Sequence, residues 1–145
     1  MQTGIDVAIG ELRGEDLSHG FLETLASLAE VGLTPEQARE VLWRRLRSGV
    51  RTFVARSGRE VLGTASLLVE QKFIHGGGRV GHIEDVAVRR DVQGGGVGAA
   101  LVRHAVEEAR KAGCYKVILS CFERLEPFYA RLGFRRHDTG MRMDL

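Results

Sequence analysis

The sequence predicts an α/β protein built on a mixed, mostly antiparallel central sheet with helices on both faces. Its segments follow the order strand, helix, helix, antiparallel strands, helix, strand, helix, strand, which is neither a regular alternation nor a sandwich. The chain has 145 residues, a common length for one domain with one core. No linker, repeat or low-complexity tract divides it, so we expect residues 1–145 to form a single domain.

The first third of the chain has the pattern of one strand followed by two helices. Residues 6–10 alternate as a strand does. Apolar residues then recur at helical spacing from Leu17 to Leu28, and Gly32 is expected to end that helix. A second helix begins with the capping box Thr34–Gln37 and should run to about Ser48.

The middle of the chain is rich in strand-forming residues. The runs 52–55 and 61–69 are separated by a short turn, which predicts an antiparallel hairpin. Three consecutive glycines at 76–78 predict a loop, and residues 81–88 resume the strand pattern.

The last third predicts two helices around one buried strand. From Val97 the apolar residues form a single stripe and the charged residues face away, which indicates an amphipathic helix ended by Gly113. Residues 115–119 are expected to be a buried strand, and a short helix around 127–132 precedes two weak terminal strands.

The charge pattern excludes several classes of protein. Lys and Arg number 21 against 19 Asp and Glu, and the two signs alternate along the chain, which argues against a dedicated nucleic-acid binder. A pI near 8.8 is still compatible with a local pocket for small anions.

The sequence shows no signal-peptide pattern and no apolar run long enough to span a membrane. We therefore expect a cytoplasmic protein with no membrane partner.

Two cysteines are too few for a disulfide framework. Cys114 and Cys121 lie beside apolar residues of a predicted strand, with no second cysteine pair and no His cluster at ligand spacing. We expect both thiols to be reduced and buried in the core, and we expect no zinc or other metal.

A glycine-rich turn lies between the strand that ends near Val88 and the amphipathic helix. Backbone amides at a helix start have no intrahelical partner, and glycines let phosphate oxygens approach them closely. Glycines weaken a helix start, so their presence here needs an explanation. A turn that binds a pyrophosphate explains them better than an ordinary flexible loop does. The candidate residues are Gln93, Gly94, Gly95, Gly96, Val97, Gly98 and Ala99.

The same turn satisfies the dinucleotide fingerprint literally, at Gly94, Gly96 and Ala99. That fingerprint needs its first glycine at the strand end and an acidic residue after the next strand. Here residues 89–93 intervene, and the next strand ends in Ser120-Cys121. The dinucleotide interpretation is therefore much weaker than the phosphate turn alone.

The turn resembles the coenzyme A signature of the GCN5-related acetyltransferases, with Gln93, Gly96 and Gly98 at the signature positions. This resemblance implies the GCN5-related acetyltransferase fold and acetyl-coenzyme A (acetyl-CoA) as co-substrate. It also implies that the preceding strand splays from its neighbour and contacts the pantetheine arm. The strand residues concerned are Val86, Ala87 and Val88.

A narrower resemblance, to the glucosamine-6-phosphate N-acetyltransferases, covers nearly the whole chain. It is carried by residues 20–25 with 31–32, by 71–75, 82–88 and 113–116, and by 128–129 with 133–134. The resemblance implies acetyl transfer from acetyl-CoA to the amine of glucosamine 6-phosphate, in amino-sugar nucleotide (UDP-GlcNAc) synthesis. It also implies a homodimer whose terminal strands help build the partner's sugar site. Acetylation of another amine, or a non-catalytic acyl-CoA sensor, remains an alternative.

Candidate catalytic residues lie on the two strands that precede and follow the amphipathic helix and on the short helix after them. Glu84 and Asp85 are adjacent in a strand, so their side chains should point to opposite faces and not form a pair on one substrate. By resemblance, Glu84 is a base or water-positioning residue and Asp85 a substrate contact. The same resemblance implies that the carbonyl oxygen of Ser120 receives the amine and that Tyr129 stabilises the departing thiolate. Without the resemblance, Tyr129 could equally be a core residue.

A cationic pair, Lys72 and His75, precedes the glycine loop. A solvated lysine and a loop histidine would be the default, but the family resemblance implies that both bind the sugar phosphate. The arginine that relatives supply from the last strand falls at Asp144, and Arg142, two residues earlier on the same strand face, could take its place. The sequence departs from the family at three positions that concern substrate or cofactor contacts: Ala29, Leu125 and Asp144.

Overall fold

The protein, described here from a computed structural model over residues 4–145, contains one five-stranded sheet with the strands in sequence order. The strands are β1 (Ala8–Glu11), β2 (Arg51–Ser57), β3 (Glu60–Gln71), β4 (Arg79–Val88) and β5 (Cys114–Ile118). Neighbours β1 to β4 pair antiparallel, whereas β4 and β5 pair parallel. The predicted mixed, mostly antiparallel sheet is confirmed.

The helical segments are α1 (Phe21–Leu25), α2 (Pro35–Arg47), α3 (Ile74–Gly77), α4 (Val97–Lys111) and α5 (Glu126–Arg131). The predicted capping box starts α2: the amide of Gln37 donates to Thr34 Oγ1 at 3.2 Å, and the amide of Thr34 donates to Gln37 Oε1 at 3.0 Å. α3 is one irregular turn, because His75 and Gly76 have left-handed backbones. The glycine-rich segment is therefore a loop, as predicted.

The sheet carries a core on each face, because successive side chains of a strand point to opposite sides. Phe53 packs toward α4 with Leu67, Ile83 and Leu101. Val54 lies in the other cluster, which holds Leu17, Phe21, Ala38 and Val61 below α1 and α2. Helices on both faces of the sheet are thus confirmed.

An ion pair ties the turn before α1 to β2. Arg56 Nε donates to Asp16 Oδ1 at 2.7 Å, and the Arg13 amide donates to Asp16 Oδ2 at 2.6 Å. The side chain of Asp16 is only 3% exposed. Burial acts to raise the pKa of Asp16, but the hydrogen bonds from Arg56 and Arg13 and their charges outweigh it, so the pKa is lowered.

The continuous first helix expected from Leu17 to Leu28 was wrong. A 3₁₀ turn at Gly14–Ser18 and the short α1 replace it, and α1 ends at Leu25, well before Gly32. Gly20 separates the two pieces with a φ of +97°. A Cβ there would lie 3.0 Å from the carbonyl oxygen of Val61, so the close approach to β3 breaks the helix.

Expectations for the end of the chain also need correction. Residues 134–145 form no strand, although β5 leaves an unpaired edge to which a further strand could add. β5 is consequently a half-exposed edge strand and not a buried one. Cys114 is half-buried and Cys121, beyond the end of β5, is exposed, so Cys121 is not a core residue.

Among residues 4–145, no helix is both long and apolar enough to cross a membrane.

Candidate active site

A groove opens where β4 and β5 separate. Their last paired residues are His82 and Ile118, so the remainder of β4 pairs only with β3. The groove has a volume of about 850 Å³ and is lined by Val86, Ala87 and Val88, by the glycine turn, and by Phe128 and Tyr129 of α5. This volume lies within the range of small-molecule sites. The geometry agrees with the splayed strand that the sequence resemblance implied.

The glycine turn forms one end of the groove at the start of α4. Gly94 and Gly96 have φ values of +85° and +88°, and the first helical hydrogen bond runs from Ala100 to Gly96. The amides of Val97, Gly98 and Ala99 therefore precede the helical ladder and lie at the groove, where α4 begins without a side-chain cap.

Two other residues of the turn act within the chain. Gln93 Nε2 donates to the carbonyl oxygen of Val88 at 3.0 Å, which ties the turn to the end of β4. Gly95 does not line the groove: its amide donates to Val92, and a Cβ would lie 2.5 Å from Ile5 Cδ1. Gly95 therefore serves close packing and not direct contact with a ligand.

A cationic rim surrounds the groove, and sequence reasoning missed it. Arg90, Arg103, Arg124 and Arg131 all line the cavity, and none of them belongs to an ion pair within the described chain. In the sequence these arginines look like ordinary solvated positions. Only the approach of α5 to the start of α4 gathers them, and together they favour a polyanionic ligand.

An acidic pocket of about 340 Å³ adjoins the groove and is lined by Glu84, Asp85, Ser120, Cys121 and Tyr129. Tyr129 lines both the pocket and the groove. The structure therefore brings together all four residues predicted to be catalytic, with Tyr129 at the junction of two cavities.

The expectation that Glu84 and Asp85 face opposite sides of the sheet was wrong. Ser66 pairs with Glu84 and Thr64 pairs with Ala87, so two residues of β4 lie opposite one residue of β3. Asp85 has a left-handed φ of +49° at this bulge. A bulge interrupts the alternation of side chains, and Glu84 and Asp85 line the same pocket.

Tyr129 is 8% exposed and is held by aromatic contacts. Its ring makes edge-on contacts with Phe128 and Phe134, with centroids 4.9 Å and 5.8 Å away. Burial, and secondarily the nearby Cys121 thiol, raise the pKa of Tyr129. The phenol therefore keeps its proton at neutral pH and can donate it into the cavities.

The predicted phosphate-binding residues do not reach this pocket within one chain. Lys72 Nζ lies 3.0 Å from Glu70 Oε2, and the ring of His75 packs 4.5 Å from that of Tyr115. Both residues come before Arg79, the first residue of β4. Arg79 and Asp85 are six strand residues apart, which corresponds to about 20 Å. Arg142 is 84% exposed and pairs with Asp144.

The three departures from the family pattern are spread out. Leu125 lines both the groove and the pocket, Ala29 is exposed before α2, and Asp144 pairs with Arg142. Within residues 4–145 no cluster of three or more His, Cys, Asp or Glu side chains has the geometry to hold a metal ion.

Comparison with known proteins gives one family and several full-length relatives. The family model described as "Acetyltransferase (GNAT) family" matches residues 18–134. A glucosamine 6-phosphate N-acetyltransferase of Trypanosoma brucei brucei is 41% identical over 144 residues, covering 97% of each chain. A probable glucosamine 6-phosphate N-acetyltransferase 2 of rice is 39% identical over 140 residues, covering 92% of this chain and 84% of the rice protein.

Solved structures agree with the fold. The crystal structure of a Trypanosoma brucei acetyltransferase superimposes with a TM-score of 0.90 at 41% identity, covering 97% of this chain and 100% of that one. The structure of glucosamine-6-phosphate N-acetyltransferase from Arabidopsis thaliana gives a TM-score of 0.88 at 29% identity, covering 97% and 99%.

Proposed function

Because this chain belongs to the acetyltransferase (GNAT) family, we propose that it transfers an acetyl group from acetyl-CoA to the amine of glucosamine 6-phosphate. The observation that carries the proposal is the meeting of two cavities at Tyr129: a groove with a cationic rim and a pocket with two carboxylates. Full-length relatives that carry this activity in their names support the choice of amine.

The groove fits the co-substrate by its chemistry. Free amides at the start of α4 and the arginine rim suit a pyrophosphate, and the unpaired edge of β4 at Val86–Val88 suits an extended amide-containing arm. A Cβ at Gly98 would sit 3.4 Å from Val88 and 3.5 Å from Phe128, so a larger side chain would extend into this cradle. When bound there, acetyl-CoA supplies an acetyl group activated as a thioester.

The pocket residues prepare the amine. Glu84 and Asp85 accept hydrogen bonds from it, and one of the two carboxylates, directly or through a water, takes the proton that the amine must lose. The carbonyl oxygen of Ser120 is a further acceptor at the end of the pocket. The amine nitrogen bonds to the acetyl carbon as the C–S bond breaks, and Tyr129 donates its proton to the departing thiolate and regains one from solvent. This transfer requires neither a metal nor a covalent enzyme intermediate.

A thiol-release assay over a panel of amines tests this proposal. We expect glucosamine 6-phosphate to give the highest kcat/KM among amino sugars, amino acids, polyamines and peptide N-termini. A higher value for another amine would replace the substrate and leave the family unchanged. Stabilisation by acetyl-CoA without thiol release for any amine would favour the acyl-CoA sensor.

The pocket of one chain lacks a cation for the sugar phosphate, which supports a homodimer. None of the described residues that line the acidic pocket is Lys, Arg or His, whereas Lys72, His75 and Arg142 lie elsewhere on the surface. β5 has an unpaired edge, and Met141 and Met143 of the segment that follows α5 are 95% and 83% exposed. We propose that a second copy covers this edge and brings the missing cations to the pocket.

Mixing two defective variants tests the shared site. If a copy contributes Lys72 to its partner's pocket, co-expressed Lys72→Met and Tyr129→Phe chains should form some heterodimers with one intact site. Activity above the sum of the two separate variants is expected, and light scattering should give twice the chain mass. A monomeric mass would contradict the dimer.

The cytoplasmic location expected from the sequence stays a prediction.

A further inference from the structure

Arg45 is an unusual arginine because it is half-buried and anchored on hydroxyl groups. Its Nη2 donates to Ser66 Oγ at 2.6 Å and to Thr52 Oγ1 at 3.1 Å, and these two residues are only 4% and 5% exposed. Its neighbour Arg44 is exposed and pairs with Glu40. A guanidinium removed from water without a carboxylate in contact is costly unless another charge compensates it.

The anchoring hydroxyls lead directly to the bulge of β4. Thr52 and Ser66 are cross-strand partners on β2 and β3, and Ser66 is in turn the partner of Glu84. Cross-strand partners point to the same face of a sheet, so Arg45 lies on the face that carries the Glu84 side chain.

Asp85 is the acidic residue that shares a cavity with Arg45. A small cavity of about 90 Å³ is lined by Arg45, Thr52, Ser66 and Asp85, together with apolar side chains of α1 and α2. Burial lowers the pKa of Arg45, and the Asp85 carboxylate acts in the opposite direction. Asp85 therefore forms a wall between this cavity, with its cation, and the acidic pocket of the proposed active site.

We propose that Arg45 is a positioning residue: anchored on Thr52 and Ser66, it holds the bulge and keeps the Asp85 carboxylate in place at the wall of the substrate pocket. The catalytic consequence rests on the proposed function. A left-handed aspartate persists only where its surroundings stabilise it, and Arg45 is the charged side chain of α2 that lines a cavity together with Asp85. Arg45 thus acts on the reaction through Asp85 and not by touching the substrate.

A double-mutant cycle separates this role from general packing. Arg45→Met keeps an unbranched apolar stem, and we expect it to lower kcat/KM for the amine by about 10-fold with an unchanged KM for acetyl-CoA. In an Asp85→Asn background the same change should cost less than about two-fold. Arg45→Lys, which restores the charge, should recover part of the loss, and the exposed control Arg44→Met should leave activity unchanged. Equal losses in both backgrounds would overturn the proposal.

Amide hydrogen exchange tests the positioning without any substrate. We expect Arg45→Met to accelerate exchange at residues 84–87 relative to the rest of β4. Unchanged exchange at the bulge, or equal acceleration throughout the sheet, would overturn the inference. If the wild type fails to acetylate glucosamine 6-phosphate, the substrate assignment falls. The Arg45 inference is then decided by the exchange experiment and by the cycle on whichever amine the enzyme accepts.

Discussion

Replacing Tyr129 by phenylalanine removes one hydroxyl from the junction of the two cavities and little else. The ring contacts with Phe128 and Phe134 do not involve that oxygen. Among the side-chain hydrogen bonds of the described residues, none involves this hydroxyl, so its removal leaves no protein partner unsatisfied. We expect the free energy of unfolding to change by less than about 1 kcal/mol.

The expected loss is in kcat. A general acid typically contributes about 10²-fold or more to the rate, and 10²-fold corresponds to about 2.7 kcal/mol of barrier. Because the proposed role of the hydroxyl is on the leaving thiolate, we expect the variant to bind acetyl-CoA as tightly as the wild type. The raised pKa of Tyr129 also means that wild-type kcat should show no loss from phenol ionisation between pH 7 and about 9.

Thiol release in single-turnover conditions measures the chemical step, and calorimetry measures acetyl-CoA affinity. The chain provides a matched control, since Tyr115 is the other tyrosine and is 42% exposed on β5. Tyr115→Phe should keep the wild-type rate. An unchanged single-turnover rate in Tyr129→Phe would refute the proton-donor role and return this residue to the core.

Three further predictions address the groove, the phosphate and the fold. Gly98→Glu places a side chain and a negative charge at the start of α4, and calorimetry should detect no acetyl-CoA binding by a protein that melts normally; wild-type affinity would refute the phosphate turn. Lys72→Met should lower kcat/KM about 10- to 150-fold for glucosamine 6-phosphate and hardly at all for glucosamine; equal losses would remove Lys72 from the phosphate site. Asp16→Asn breaks a buried ion pair and should cost about 3–5 kcal/mol in urea unfolding at pH 7. Because folding lowers the pKa of Asp16 below its ordinary 3.8, this contribution is complete above that value and is lost as the pH falls through the lowered pKa. A stability difference that stays the same down to pH 2 would contradict the assignment.

The sequence predicted those parts of the fold that local signals determine. Thr34 and Gln37 form the expected capping box, and the stripe that contains Leu101 and Ala105 is buried in α4. The glycine turn followed from residue type alone, because only glycine combines positive φ with open space above the backbone. These features need no knowledge of distant contacts.

The missed features depend on distant partners. The alternation rule placed Glu84 and Asp85 on opposite faces, since nothing in β4 itself reveals that its register with β3 shifts beyond Ser66. The arginine rim is assembled from three separate segments. The expected terminal strands were also wrong: local propensity alone does not form a strand, and residues 134–145 stay unpaired beside the free edge of β5.

The bulge also restricts which acid can stand at position 85. Left-handed backbone is several-fold more accessible to Asp and Asn than to most other non-glycine residues, whereas the neighbouring position 84 is free of that demand. Glycine and asparagine would satisfy the backbone without providing a carboxylate, and glutamate would provide the carboxylate at a conformational cost. Asp85 meets both requirements, so the order Glu-Asp is itself a constraint. A chain with Glu84→Asp and Asp85→Glu keeps composition and net charge, yet we expect it to be less stable and less active than the wild type. A wild-type melting temperature would show that the backbone at position 85 does not select aspartate.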